Sequence, residues 1–128
     1  MMRYAGVLVF ALLAIPAHAT PAWEVKSKWF CRGERLTLCD SKGKCSASPS
    51  KLSIMVDFKS HQFTNLAPEL ISPLRITDYA DGTTYFSNWV GNMFTIRRDP
   101  DSPIPAYEFK AVIFAGHPII HFGTCNPM

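Results

Sequence analysis

The clearest pattern along the chain runs from Lys51 to Lys59, where Leu52, Ile54, Val56 and Phe58 alternate with Lys51, Ser53, Asp57 and Lys59. A two-residue period puts one set on each face of an extended backbone, so this segment reads as a half-buried strand. Runs rich in Thr, Val, Ile, Phe and Tyr extend the reading to residues 28–32, 35–39, 62–66, 74–79, 83–89, 93–98, 107–114 and 119–124. The breaks between them are chemically marked. Asp81-Gly82 sits between two aromatic-rich runs and predicts a hairpin, because both residues tolerate a left-handed backbone. Val90-Gly91-Asn92 and Gly116-His117-Pro118 predict tight connections. Asp99-Pro100-Asp101-Ser102-Pro103-Ile104-Pro105 predicts a stiff loop, since its three prolines cannot donate to a ladder. No stretch of ten residues holds a 3.6-residue period, and residues 68–72 could form at most one short helical turn.

Eight or nine short strands joined by brief turns describe an all-β antiparallel meander. Closure into a small, flattened barrel of about eight strands removes the exposed edges that such a sheet must otherwise protect. A two-sheet β-sandwich is the alternative.

Composition narrows the class. Of 128 residues, 48% are hydrophobic and 18% charged, which suits one globular domain rather than a disordered chain. Ten prolines and seven glycines disfavour a helix bundle. A net charge of +3 is too slight to predict nucleic acid as a partner or an electrostatic hold on a membrane. The start adds a compartment. Arg3 precedes the apolar run from Gly6 to Ile15, and Ala17-His18-Ala19 follows as a cleavage site. That three-part pattern predicts an export signal over residues 1–19 and a single domain over 20–128, periplasmic or secreted. Pro16 ends the apolar run too early for a membrane span, so no stable anchor is expected.

All four cysteines, Cys31, Cys39, Cys45 and Cys125, fall within the expected mature chain. An even count in a small exported domain reads as two disulfides, of which three pairings are possible. The polar loop Asp40-Ser41-Lys42-Gly43-Lys44 favours Cys39–Cys45, which leaves Cys31–Cys125 to join the first strand to the last. No pair has the short spacing of a structural zinc knuckle.

No catalytic signature is found. The glycines are scattered singly, and neither Gly-x-Ser-x-Gly nor His-Glu-x-x-His occurs. His117 and His121, four apart in a strand, would stand on the order of 13 Å from each other, too far for one metal ion. No cofactor and no enzymatic activity are expected. The densest unusual feature is the aromatic stretch from Tyr79 to Trp89 with Arg97-Arg98 beyond it. Aromatics with polar tips and arginines dominate recognition surfaces, so Arg75, Tyr79, Asp81, Tyr85, Phe86, Trp89, Arg97 and Arg98 are the candidate binding residues. The plainer alternative sends Tyr85 and Trp89 into the core and leaves Phe86 over the barrel mouth.

The chain resembles the C-type lysozyme inhibitors of bacterial envelopes at Trp29-Phe30-Cys31 with Leu36-Thr37-Leu38, at Tyr79-Ala80-Asp81-Gly82, at Arg97-Arg98-Asp99 and at Cys125. Where that family carries Ser-Gly before its tyrosine, this chain has Arg75-Ile76. The resemblance implies an exported, disulfide-tied eight-stranded barrel. It also implies a non-enzymatic binding module whose partner is another protein, in its sharpest form a lysozyme-like hydrolase that it inhibits. Two alternatives stand beside it. One is a carrier of a small apolar or glycan ligand at the barrel mouth, and the other is an envelope or stress-related factor without a defined pocket.

Overall fold

A computed structural model describes residues 20–66 and 68–128. The expected export signal, residues 1–19, lies outside the described residues. The described chain forms a short helix, α1 (Ala22–Val25), then strands β1 (Lys28–Cys39), β2 (Cys45–Pro49), β3 (Ser53–Asp57), β4 (Gln62–Leu66), β5 (Glu69–Ala80), β6 (Thr83–Asn88), β7 (Met93–Arg98), β8 (Tyr107–Ala115) and β9 (His117–Pro127). Each of β3 to β8 pairs antiparallel with the next. The outer edge of β9 then pairs with β1, whose other edge carries β3, so eight strands close into a barrel. The ninth strand, β2, pairs with the distal half of β1 and extends it as a hairpin beyond the barrel wall. The fold is thus the closed meander rather than the sandwich.

The alternation read at residues 51–59 appears as built, with Ile54, Val56 and Phe58 buried. Around them Trp29, Phe63, Phe86, Phe94, Ile96 and Phe109 fill the interior. Phe86, Phe94 and Phe109 form a near-parallel ladder, with centroids 5.3 Å and 6.3 Å apart. These rings come from three successive strands, because residues paired across antiparallel strands point to the same face. α1 closes one end of the barrel. The Trp29 indole donates to the carbonyls of Ala22 at 3.0 Å and Lys26 at 2.9 Å, and the Ala22 amide donates to Thr84 Oγ1 at 2.8 Å.

The disulfides are Cys31–Cys125 and Cys39–Cys45. In each the two cysteines stand directly opposite in the ladder, across the β1–β9 closure and at the tip of the β1–β2 hairpin. The Asp81-Gly82 hairpin is present with Ala80 opposite Thr83, and both turn residues have positive φ, 52° and 75°.

Three local expectations change. Residues 69–72 belong to β5 and form no helical turn, because they pair with residues 63–66 of β4. Residues 28–39 make one strand rather than two, with a bulge between Gly33 and Arg35 taking up the phase shift. His117-Pro118 lies within β9, and the connection from β8 turns at Gly116, whose φ is 78°.

Candidate functional site

Strand alternation sorts the candidates. On β6, Thr84 and Phe86 point inward, which leaves Thr83 and Tyr85 outward; on β7, Phe94 and Ile96 point inward and Thr95 and Arg97 outward. Lys110 of β8 lies opposite Thr95, and Glu108 lies opposite Arg97. Phe122 of β9 lies opposite Lys110, and Arg35 of β1 lies opposite Phe122. An outward row therefore crosses five strands, from Tyr85 through Thr95, Lys110 and Phe122 to Arg35. Thr83, Arg97 and Glu108 form a shorter row beside it.

Together with Glu34 these side chains line a groove of about 610 Å³ on the outside of the barrel. Phe122 is its centre. The Arg35 guanidinium stands 5.5 Å and the Lys110 ammonium 5.9 Å from the centroid of its ring, so the aromatic face holds two cations in place. No ion pair joins Arg35, Arg97 or Lys110 to a carboxylate among the described residues.

The sequence-predicted residues do not gather in one place. Tyr85 and Arg97 are in the groove. Arg98 and the Asp81-Gly82 turn lie at the α1 end, where Gly82 and Arg98 border a cavity of only about 40 Å³. Tyr79 is half-buried opposite Thr84, and Arg75 is exposed at a bulge in β5 between Leu74 and Ile76. Trp89 is 57% exposed in the β6–β7 turn, at the opposite end of the barrel from α1. Phe86 must leave the binding set: its side chain is fully buried between Phe58 and Phe94. The alternative that sent Tyr85 and Trp89 inward fails as well, because Thr84 and Phe86 fix the phase of β6 and Trp89 falls beyond its last residue.

The groove residues missed in the sequence are Arg35, Lys110 and Phe122, with Glu34 and Glu108. Polar alternation at Glu108 and Lys110 signalled an outward face. Only closure of β9 onto β1 brings Arg35 beside Phe122.

Comparison with family models, curated proteins and solved structures finds no match to this chain. What the molecule can do must be read from its own surface.

Two further features bear on that surface. At the end away from α1, Trp89, Val90 and Phe114 are 57%, 59% and 62% exposed. Their segments are tied together, since Asn92 Oδ1 accepts the Phe114 amide at 3.0 Å and the Asn88 side chain accepts the Asn92 amide at 3.0 Å. Leu70 and Ile71, 62% and 60% exposed, flank this crown on β5. Within the wall, Ser50 Oγ lies 2.7 Å from His121 Nδ1 and accepts the Leu52 amide at 3.2 Å. Ser50 and His121 thus share a hydrogen bond, and burial holds the His121 pKa below its usual value. The pair fastens the kink between β2 and β3 to β9. Among the described residues no cluster of three metal-ligating side chains exists, and no helix is long and apolar enough to cross a membrane.

Proposed function

We propose that the protein is a non-enzymatic exported binding module that docks another protein with the apolar crown at the open end of its barrel. The observation that carries this reading is the exposure of Trp89 and Val90 from the β6–β7 turn and of Phe114 near the end of β8, segments held together through Asn92. Large apolar side chains clustered on a small domain mark interaction surfaces, and a tryptophan is the usual anchor. Two disulfides suit an oxidising compartment, and with the signal-like start they favour the periplasm or the exterior. The barrel interior is taken by aromatic rings, which gives a lumenal small-ligand carrier no support.

Disulfide-intact protein of residues 20–128 serves as bait in envelope and host extracts, beside a Trp89→Ser/Phe114→Ser variant. A protein retained by the first and lost from the second, with both baits melting at the same temperature, supports the reading. Identical retention on both baits overturns it.

Inhibition of a lysozyme-like hydrolase is a second reading, which would use the opposite, α1 end of the barrel. Its support is that the resembling segments Tyr79–Gly82 and Arg97–Asp99 come together at the α1 end, where Thr83 pairs with Arg97. Cell-wall lysis by several lysozyme classes should slow at micromolar excess of the protein. Unchanged lysis removes this second reading.

A further inference from the structure

The outer groove is a separate feature, on a different face from the crown, and its chemistry is more specific. We propose that it binds an acidic saccharide: a hydroxyl-bearing ring that carries a carboxylate or sulfate.

The argument starts from donors and acceptors. Arg35, Arg97 and Lys110 can only donate hydrogen bonds, and the carboxylates of Glu34 and Glu108 can only accept them. A bare anion would use the three cations and be repelled by the two carboxylates. An extended peptide would pair its backbone with a sheet edge, and the groove floor is fully paired sheet, with no free edge for strand addition. An apolar ligand would have to strip water from five charges. A sugar acid uses both sets at once. Its hydroxyls donate to Glu34 and Glu108, its acid group accepts from the cations, and its ring stacks on Tyr85. The volume, about 610 Å³, lies within the usual range for small-molecule sites and leaves room for a short oligosaccharide.

The backbone is arranged for this site. Gly33 lies opposite Gly123, and without a bulge Glu34 would lie opposite Phe122 and Arg35 opposite His121, on the inward face. The extra residue reverses the phase and brings Arg35 outward beside Phe122. That arrangement requires glycine at 123, because a Cβ there would fall on the Arg32 carbonyl. Once outward, Arg35 is held over Phe122 on rigid strands, which lowers the entropic cost of fixing it against a ligand.

The test is calorimetric titration of disulfide-intact protein with trigalacturonate and with a sulfated heparin trisaccharide. The expected result is binding of at least one of these, no comparable binding of trigalacturonate methyl ester, triglutamate or inorganic phosphate, and about a tenfold or greater loss in Arg97→Gln and in Lys110→Gln. Glu108→Gln separates a saccharide site from a simple anion site. It should weaken binding, whereas a gain in affinity would show that the carboxylate only repels and would overturn the proposal. So would absence of binding by both acidic saccharides, or equal affinity for triglutamate. Trp89→Ser should leave the titration unchanged, so failure here and failure of the crown are told apart.

Discussion

Tyr85 and Phe86 are adjacent in the chain and occupy opposite environments. Phe86 pairs with Phe94 across β6 and β7, stacks on its ring and has no exposed surface. Tyr85 faces the groove, opposite Thr95. Truncating the two should therefore have unequal costs. Phe86→Ala removes a buried ring from a filled interior and should destabilise by about 3–5 kcal/mol. Tyr85→Ala should cost about 1 kcal/mol or less, as surface substitutions usually do. Urea unfolding of both variants is the measurement, and a larger loss for Tyr85 would contradict the assigned phase. Composition and alternation identified an aromatic strand here. They did not decide which ring was inside, because threonine, tyrosine and phenylalanine alternate without a clear polar set, and only the packing of Phe86 on Phe58 and Phe94 breaks the tie.

Among the elements, the strands that were easiest to read have one wet face and one dry face. β3 is the clearest, and β7 and β8 follow. β2 was not anticipated: its Cys-Ser-Ala-Ser-Pro residues are all exposed, so no hydrophobic period marks it. It is ordered instead by pairing with β1, by the Cys39–Cys45 bridge, and by the fastening of the kink that follows it. That fastening is the Ser50–His121 hydrogen bond, which joins the return strand to β9. It predicts a pH effect. Burial places the His121 pKa in the folded chain below its unfolded value, so its contribution is fully present above about pH 6.5 and is lost as pH falls through the folded value. The melting temperature should fall modestly from pH 7.5 to pH 5. His121→Gln keeps an acceptor without a titration and should remove that part of the fall. An unchanged pH profile in the variant would show that the fastening does not depend on the imidazole.

For the whole molecule, closure is the decisive event. Cys31–Cys125 spans 94 residues and lies in the seam between first and last strands, whereas Cys39–Cys45 spans 6 and lies at a hairpin tip. Chain entropy then ranks them. Replacing Cys39 and Cys45 with serine should cost about 2 kcal/mol, and replacing Cys31 and Cys125 up to about 5 kcal/mol, a large share of the about 5–15 kcal/mol typical of a domain. Guanidinium unfolding of the two double variants tests the order, and equal losses would contradict the ranking by loop length. Closure also creates the groove, because Arg35 and Phe122 are 87 positions apart in the chain and neighbours only across the seam.

The sequence by itself determined the fold class, most strand positions, the Asp81-Gly82 hairpin and a disulfide pairing that the structure contains. These follow from local rules: a two-residue period, residues that tolerate positive φ, and a loop short enough to join two cysteines. The tertiary structure decided which aromatic faces inward, where the bulge falls in β1, and which charges meet. Those depend on register across the closing seam, and register is set by how buried side chains from distant strands fit one another, which no local pattern records.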